Sequence, residues 1–170
     1  MKIERLSEEE AKILLPQLVA LLRDAVEGGA SVGFMPPLRA EAAEQYWSEA
    51  LRDIREGSRV LLMSSDDGEL TGAVQLALAT KENGAHRAEV QKLFVHSRFR
   101  ERGIGRALMR AVEEAAREEG RTLLVLDTEQ GSAAESLYAK SGYTRAGVIP
   151  QYARSADGSL HSSVFFYRLL

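Results

Sequence analysis

With 170 residues, 45% of them apolar and 28% charged, the chain has the size and balance of one globular domain with a substantial core. A formal net charge of -3 argues against broad nucleic-acid binding, and the absence of cysteine excludes disulfides, thiolate metal sites and a cysteine nucleophile. The three histidines lack metal-site spacing, no apolar run is long enough to cross a bilayer, and the opening residues show no basic-then-apolar leader. The expectation is a single cytoplasmic domain over residues 1–170, with no metal and no membrane partner.

Met1 to Leu6 alternates as a short strand. Ser7 followed by Glu8, Glu9 and Glu10 is a helix start, with a capping hydroxyl and then acids on the positive end of the dipole. Leu14, Leu18, Leu21 and Leu22 continue a helical stripe to about Val26, and Pro16 inside it predicts a kink or a late start. Gly28 to Pro37 has no period and reads as a loop. A second helix, Arg39 to Glu56, carries Ala43, Tyr46, Trp47, Ala50 and Ile54 on one face, and core packing is the expected use of Trp47.

Strands come next. Arg59–Ser64 and Leu70–Thr80 flank the hairpin turn Ser65-Asp66-Asp67-Gly68, with a bulge expected at Gly72. After a turn at residues 81–84, His86 to Val95 is the next strand. An amphipathic helix runs from Ile104 to about Glu119, and Thr122–Asp127 is a short buried strand. The helix Ala133–Lys140 closes at Ser141-Gly142, and two strands, Tyr143–Ile149 and Ser162–Leu169, end the chain. The order is β-α-α-β-β-β-α-β-α-β-β.

Between the His86–Val95 strand and the Ile104 helix lies Arg98-Phe99-Arg100-Glu101-Arg102-Gly103-Ile104-Gly105-Arg106. Glycines let the main chain approach a ligand, and a helix start adds unpaired N–H groups and the positive end of the dipole, so the stretch is a phosphate cradle by design. A dinucleotide fingerprint needs Gly or Ala where Leu108 stands. A triphosphate loop needs Gly-Lys-Ser/Thr, whereas Gly105 is followed by Arg106 and Ala107. The remaining pattern, Gln/Arg-x-x-Gly-x-Gly/Ala after a strand and opening a helix, is met by Arg100 to Gly105.

On that stretch the chain resembles the GCN5-related N-acetyltransferase family, and the resemblance runs from about Arg59 to the C-terminus. A second marker is Ala134-Glu135-Ser136-Leu137-Tyr138-Ala139-Lys140-Ser141-Gly142-Tyr143, similar to the family's Ala-x-x-Leu-Tyr-x-x-x-Gly-Phe helix. The tabtoxin-resistance type is especially similar, through residues 86–93, Leu126-Asp127-Thr128-Glu129, and a tail with Gly147-Val148-Ile149-Pro150 and Asp157-Gly158-Ser159-Leu160-His161. One departure is Gly131, where many members carry an Asn that helps hold the cofactor.

The resemblance implies an α/β (α+β) fold with a mixed, mostly antiparallel sheet of six to seven strands and about four helices. It implies acetyl-CoA as co-substrate and a primary amine as acceptor, a small amino-acid-like toxin or antibiotic being the leading class. A protein N-terminus or lysine is the alternative acceptor, and a non-catalytic acyl-CoA-binding module the alternative class. It also implies a homodimer, although no residue marks an interface.

Strand alternation puts Glu89, Gln91, Leu93 and Val95 on one face and Val90, Lys92 and Phe94 on the other. Glu89 precedes Arg100 by eleven positions, the placement of the base glutamate in histone-acetylating relatives, and is expected in a partly buried cleft. Asp127 ends an apolar strand, where α/β sites gather, and the resemblance gives it a share in deprotonating the amine. A carboxylate there equally suits capping of the following turn. Tyr138 matches the family's general acid, although a packed core tyrosine would look the same. The resemblance further assigns the thioester carbonyl to a backbone amide of Phe94 or Val95. It assigns the pyrophosphate to the segment Arg100, Glu101, Arg102, Gly103, Ile104, Gly105 and Arg106. His96 and His161 have no assigned role.

Overall fold

The computed structural model describes residues 1–170. The strands are β1 (Lys2–Leu6), β2 (Arg59–Asp66), β3 (Glu69–Leu78), β4 (Arg87–Val95), β5 (Leu123–Glu129), β6 (Thr144–Arg154) and β7 (Leu160–Leu169). The helices are α1 (Glu8–Ile13), α2 (Leu15–Glu27), α3 (Ala40–Arg55), α4 (Ile104–Glu118) and α5 (Ala133–Lys140). Single 3-10 turns occupy Glu82–Gly84 and Ser97–Phe99. Ser7 and Glu10 form a reciprocal capping box on α1, and Pro16 falls in the first turn of α2, where its missing N–H costs nothing. The proline therefore divides the expected first helix in two at Leu14.

One seven-stranded sheet runs in the order β1-β2-β3-β4-β5-β7-β6. Every neighbouring pair is antiparallel except β4 and β5, which run parallel and pair only over Arg87–Glu89 and Leu123–Val125. Beyond these residues both strands continue without each other, and a gap opens between them. Strand alternation feeds two cores. Val60, Leu62, Val74, Leu76, Leu124 and Leu126 pack under α4 and α5 with Leu108, Met109, Val112 and Tyr138. Leu61, Ala73 and Phe94 pack on the other face with Leu18, Leu21, Leu22 and the fully buried Trp47 of α2 and α3.

Two bulges depart from the expected alternation. On β3 the register with β2 slips at Ser64/Ser65, so the irregularity falls at Thr71 beside Gly72. Gly72 answers to crowding instead: a Cβ there would stand 2.7 Å from the Phe94 carbonyl oxygen. On β4 the register with β3 slips between Ala73 and Gln75, and Lys92 takes φ +51. The extra residue reverses the faces of the rest of the strand. Gln91 and Lys92 both point to the α2/α3 side, while Leu93 and Val95 pack against the α4 core, so the expectation that Glu89, Gln91, Leu93 and Val95 share a face fails at Lys92.

Candidate functional site

The glycine segment folds as its composition demands. Glu101 (φ +65) and Gly103 (φ +80) both take the left-handed conformation on either side of Arg102, and Gly103 is the N-cap of α4. Alternating right- and left-handed residues turn successive N–H groups into one concavity. The backbone amides from Arg102 to Arg106 find no backbone carbonyl, and the first α4 bond is from Ala107 to Gly103. Gly105 serves a close approach, because a Cβ would lie 3.2 Å from Leu137 Cδ2 of α5 and 3.8 Å from Val95 Cγ2. Arg98 is held by Glu69 at 3.0 Å, and Arg102 stacks on Phe99. The loop before the cradle is fixed by Asp24 of α2, which accepts from Ser97 N at 2.8 Å and Ser97 Oγ at 2.6 Å. Burial pushes the Asp24 carboxyl up, but the Ser97 hydrogen bonds with the His96 and Arg100 charges outweigh it and leave it below the usual range.

From the cradle the β4–β5 gap leads inward. His96 N donates to Thr71 O, and such narrow pairs recur every second residue, so the Phe94 amide is spent on β3 and the Val95 amide faces the gap. The Val95 carbonyl, on the same side, accepts from Arg100 Nε at 3.3 Å. An available amide at this point is therefore that of Val95 rather than Phe94, whose ring is buried in the α2/α3 core.

Asp127 and Glu129 lie on β5 on the face opposite the buried Leu124 and Leu126, half-exposed. Tyr138, on α5, is packed between Tyr143 and Phe166 with ring centroids 6.1 and 6.2 Å away. Burial pushes its phenol far up and the Asp127 charge adds to the push, so Tyr138 is a proton holder at every ordinary pH. Glu89 is exposed rather than set in a partly buried cleft, and it lines an open hollow of about 530 Å³ with Lys81, Arg87 and Val125. The structure thus brings Asp127 and Tyr138 together at the gap and sets Glu89 at its closed end, opposite Val125 in the last β4–β5 pair.

A cavity of about 230 Å³ opens beside Glu129, between the 28–37 loop and the β6–β7 connection. Phe34, Met35 and Pro36 supply its apolar wall. His161, unassigned from sequence, lies at its base: Nδ1 is 2.8 Å from Ser155 Oγ and Nε2 is 3.1 Å from Ser31 Oγ, so the ring joins the two loops. Sequence reasoning also missed Lys92, because the bulge that redirects it depends on pairing with β3. Its ammonium donates to the Val32 carbonyl at 2.6 Å and sits over Phe34 and Tyr46. Burial lowers the Lys92 pKa and the Arg59 cation lowers it further, against the opposing charges of Glu89 and Asp127.

The sequence profile of the acetyltransferase (GNAT) family matches residues 19–143. An uncharacterized N-acetyltransferase from the hisH-hisA intergenic region of Azospirillum brasilense is 35% identical over 109 residues, a match spanning 63% of each chain. An L-methionine sulfoximine/L-methionine sulfone acetyltransferase of Pseudomonas aeruginosa is 28% identical over 138 residues, 81% of this chain and 78% of the relative. Among solved structures, a ribosomal-protein-alanine N-acetyltransferase from Brucella melitensis superposes with a TM-score of 0.83 at 26% identity, covering 100% of both chains.

Proposed function

This chain belongs to the acetyltransferase (GNAT) family, and from that premise we propose that it transfers an acetyl group from acetyl-CoA to the primary amine of a small molecule. The observation that carries the reading is the row of unpaired amides from Arg102 to Arg106 at the mouth of a gap that passes Asp127 and Tyr138 and closes at Glu89 and Val125. Unpaired N–H groups at a helix start are a site for phosphate, and the residues present fit the pyrophosphate of CoA. Arg100, Arg102 and Arg106 add positive charge around it. The Val95 amide is placed to donate to the thioester carbonyl oxygen as charge develops there.

Acetyl-CoA supplies a thioester: the amine nitrogen attacks its carbonyl carbon, a C–N bond forms, the C–S bond breaks, and CoA leaves as its thiol. The protein holds the acceptor in the cavity beside Glu129, which supplies much of the rate by positioning. Amines with pKa about 8 to 10 arrive mostly protonated at neutral pH, so a carboxylate must take a proton first. Asp127 fits that part better than Glu89, because it stands near enough to Tyr138 for its charge to act there, while Glu89 is exposed and its charge does not reach Tyr138. Tyr138 faces the leaving sulfur and donates a hydrogen bond to it. With its pKa held so far up, the tyrosine stabilises the thiolate without surrendering its proton until water or the released amine proton completes the thiol.

The size of the cavity favours a small acceptor, and the similarity to a methionine sulfoximine acetyltransferase supports an amino-acid-like one. A protein N-terminus is the second reading, favoured by the likeness to a ribosomal-protein-alanine acetyltransferase. The test has two stages. Acetyl-CoA at a hundred times its Kd should stabilise the protein by about 2.7 kcal/mol, and no rise in melting temperature would end the cofactor assignment. Thiol release against amino acids, polyamines, aminoglycosides and peptides then separates the acceptors; turnover on peptides alone would end the small-molecule reading.

A further inference from the structure

The 28–37 loop walls the cavity yet contains neither helix nor strand, so contacts from outside must give it a shape. Its start is tied to α2, where the Gly29 and Ala30 amides donate to the Val26 and Ala25 carbonyls at 3.0 Å each. Beyond Ala30, two hydrogen bonds reach it from elsewhere, both from titratable side chains and both to adjoining residues of the loop. His161 of β7 meets Ser31, and Lys92 of β4 meets the Val32 carbonyl.

The lysine contact is the stronger of the two. It is a charged donor at 2.6 Å, and the same ammonium lies 5.8 Å from the Phe34 ring centroid and 5.7 Å from that of Tyr46. Phe34 and Tyr46 in turn meet edge to face at 5.5 Å, so one cation gathers the loop, β4 and α3 around itself. The placement opposes two local preferences. Lys92 takes a positive φ that L residues avoid, and its charge is half-buried beside Arg59. Without the bulge the side chain would point into the α4 core, so the same distortion that reverses the strand's faces delivers the ammonium under the loop.

We infer that Lys92 is the positioning residue of the acceptor pocket: its ammonium anchors the Val32 main chain and thereby sets the wall formed by Gly33, Phe34, Met35 and Pro36. The inference rests on the reading of that cavity as the acceptor site, but its primary test does not. Backbone 15N relaxation is measured on the ligand-free protein and on Lys92→Met, which keeps the length and removes the charge. Order parameters of residues 31–35 should fall below about 0.6 in the variant, with those of residues 107–118 staying near about 0.85, as expected when the loop loses its charged anchor. In turnover, KM for the amine should rise about tenfold or more while KM for acetyl-CoA stays within about twofold. Phe34→Leu keeps the lysine and should lower the same order parameters by a smaller amount, which covers the case of a poorly folding Lys92→Met. Unchanged loop order parameters in both variants overturn the inference, as does an equal rise of both KM values or a uniform fall in order parameters across the protein. Absence of turnover on any amine would remove the acceptor reading alone, and the relaxation comparison would still decide the role of Lys92.

Discussion

Tyr138→Phe is the most direct probe of the proposed chemistry, because the structure separates the hydroxyl from the ring. The ring is the structural part, packed between Tyr143 and Phe166 in the α4/α5 core, and phenylalanine keeps it. Burial and Asp127 are what hold the phenol up, and no hydrogen bond within the protein offsets them, so removing the hydroxyl orphans nothing. The variant should therefore melt within a few degrees of the wild type. Its loss lies in turnover: a hydrogen bond from a neutral donor to a developing thiolate contributes about 1.5–3 kcal/mol, or roughly 10- to 150-fold in kcat. A loss of about 10⁴-fold is not expected, since a phenol held this far up is a poor source of a fully transferred proton. Thiol release at saturating acetyl-CoA and acceptor gives kcat, and calorimetry on acetyl-CoA gives Kd, which should stay within about twofold. Unchanged kcat would remove Tyr138 from the chemistry. A drop in acetyl-CoA affinity equal to the drop in rate would assign it to binding instead.

The carboxylates should rank: Asp127→Asn should lower kcat about 10²-fold or more and Glu89→Gln less than about tenfold, and the reverse order in a pH-controlled rate assay would return the base role to Glu89. Replacing Arg102 and Arg106 with Ala should weaken acetyl-CoA about tenfold and reduce the salt dependence of its binding, with acetyl-pantetheine turnover unaffected; equal losses for both donors would contradict a phosphate role. Asp24→Asn should cost about 1–2 kcal/mol at pH 7. Because the folded Asp24 pKa is depressed, that stability is present in full above the unfolded value near ~4 and disappears as pH falls through the lower folded value. Urea melts of wild type and variant should accordingly converge at low pH, and a constant difference down to the acid transition would show that the carboxylate charge is not the cause.

The parts of this protein that were legible in its sequence are those whose cause is local. Ser7, Pro16 and Gly103 each act on the turn they occupy, so the divided first helix and the start of α4 could be read from neighbours alone. The cradle was legible for the same reason: Gly103 and Gly105 stand at the helix start they create. What escaped was set by pairing between distant segments. Strand β4 reads as a regular alternation, and only its register with β3 shows that Val74 faces two residues instead of one. That slip exchanges the faces of every later residue, which puts Lys92 and Phe94 on the α2/α3 side and Leu93 and Val95 on the α4 side. His161 was illegible in the same sense, since its two serine partners lie 130 and 6 positions away and meet only when β7 and the 28–37 loop close over the cavity.

These two kinds of legibility divide the site along a chemical line. The proposed phosphate side is built from one stretch of backbone, whose N–H groups do not depend on side-chain identity, so a short pattern suffices to mark it. The proposed acceptor side is assembled from a loop, a strand bulge and a hairpin connection, and Lys92 and His161 make hydrogen bonds across them. Changing one side chain there alters a wall without touching the cradle. A family that keeps its donor and varies its acceptor needs that separation, and here the bulge at Lys92 is the point where the two halves join. In the proposed reaction its strand supplies the Val95 amide to the donor side three residues after it supplies the Lys92 ammonium to the acceptor side.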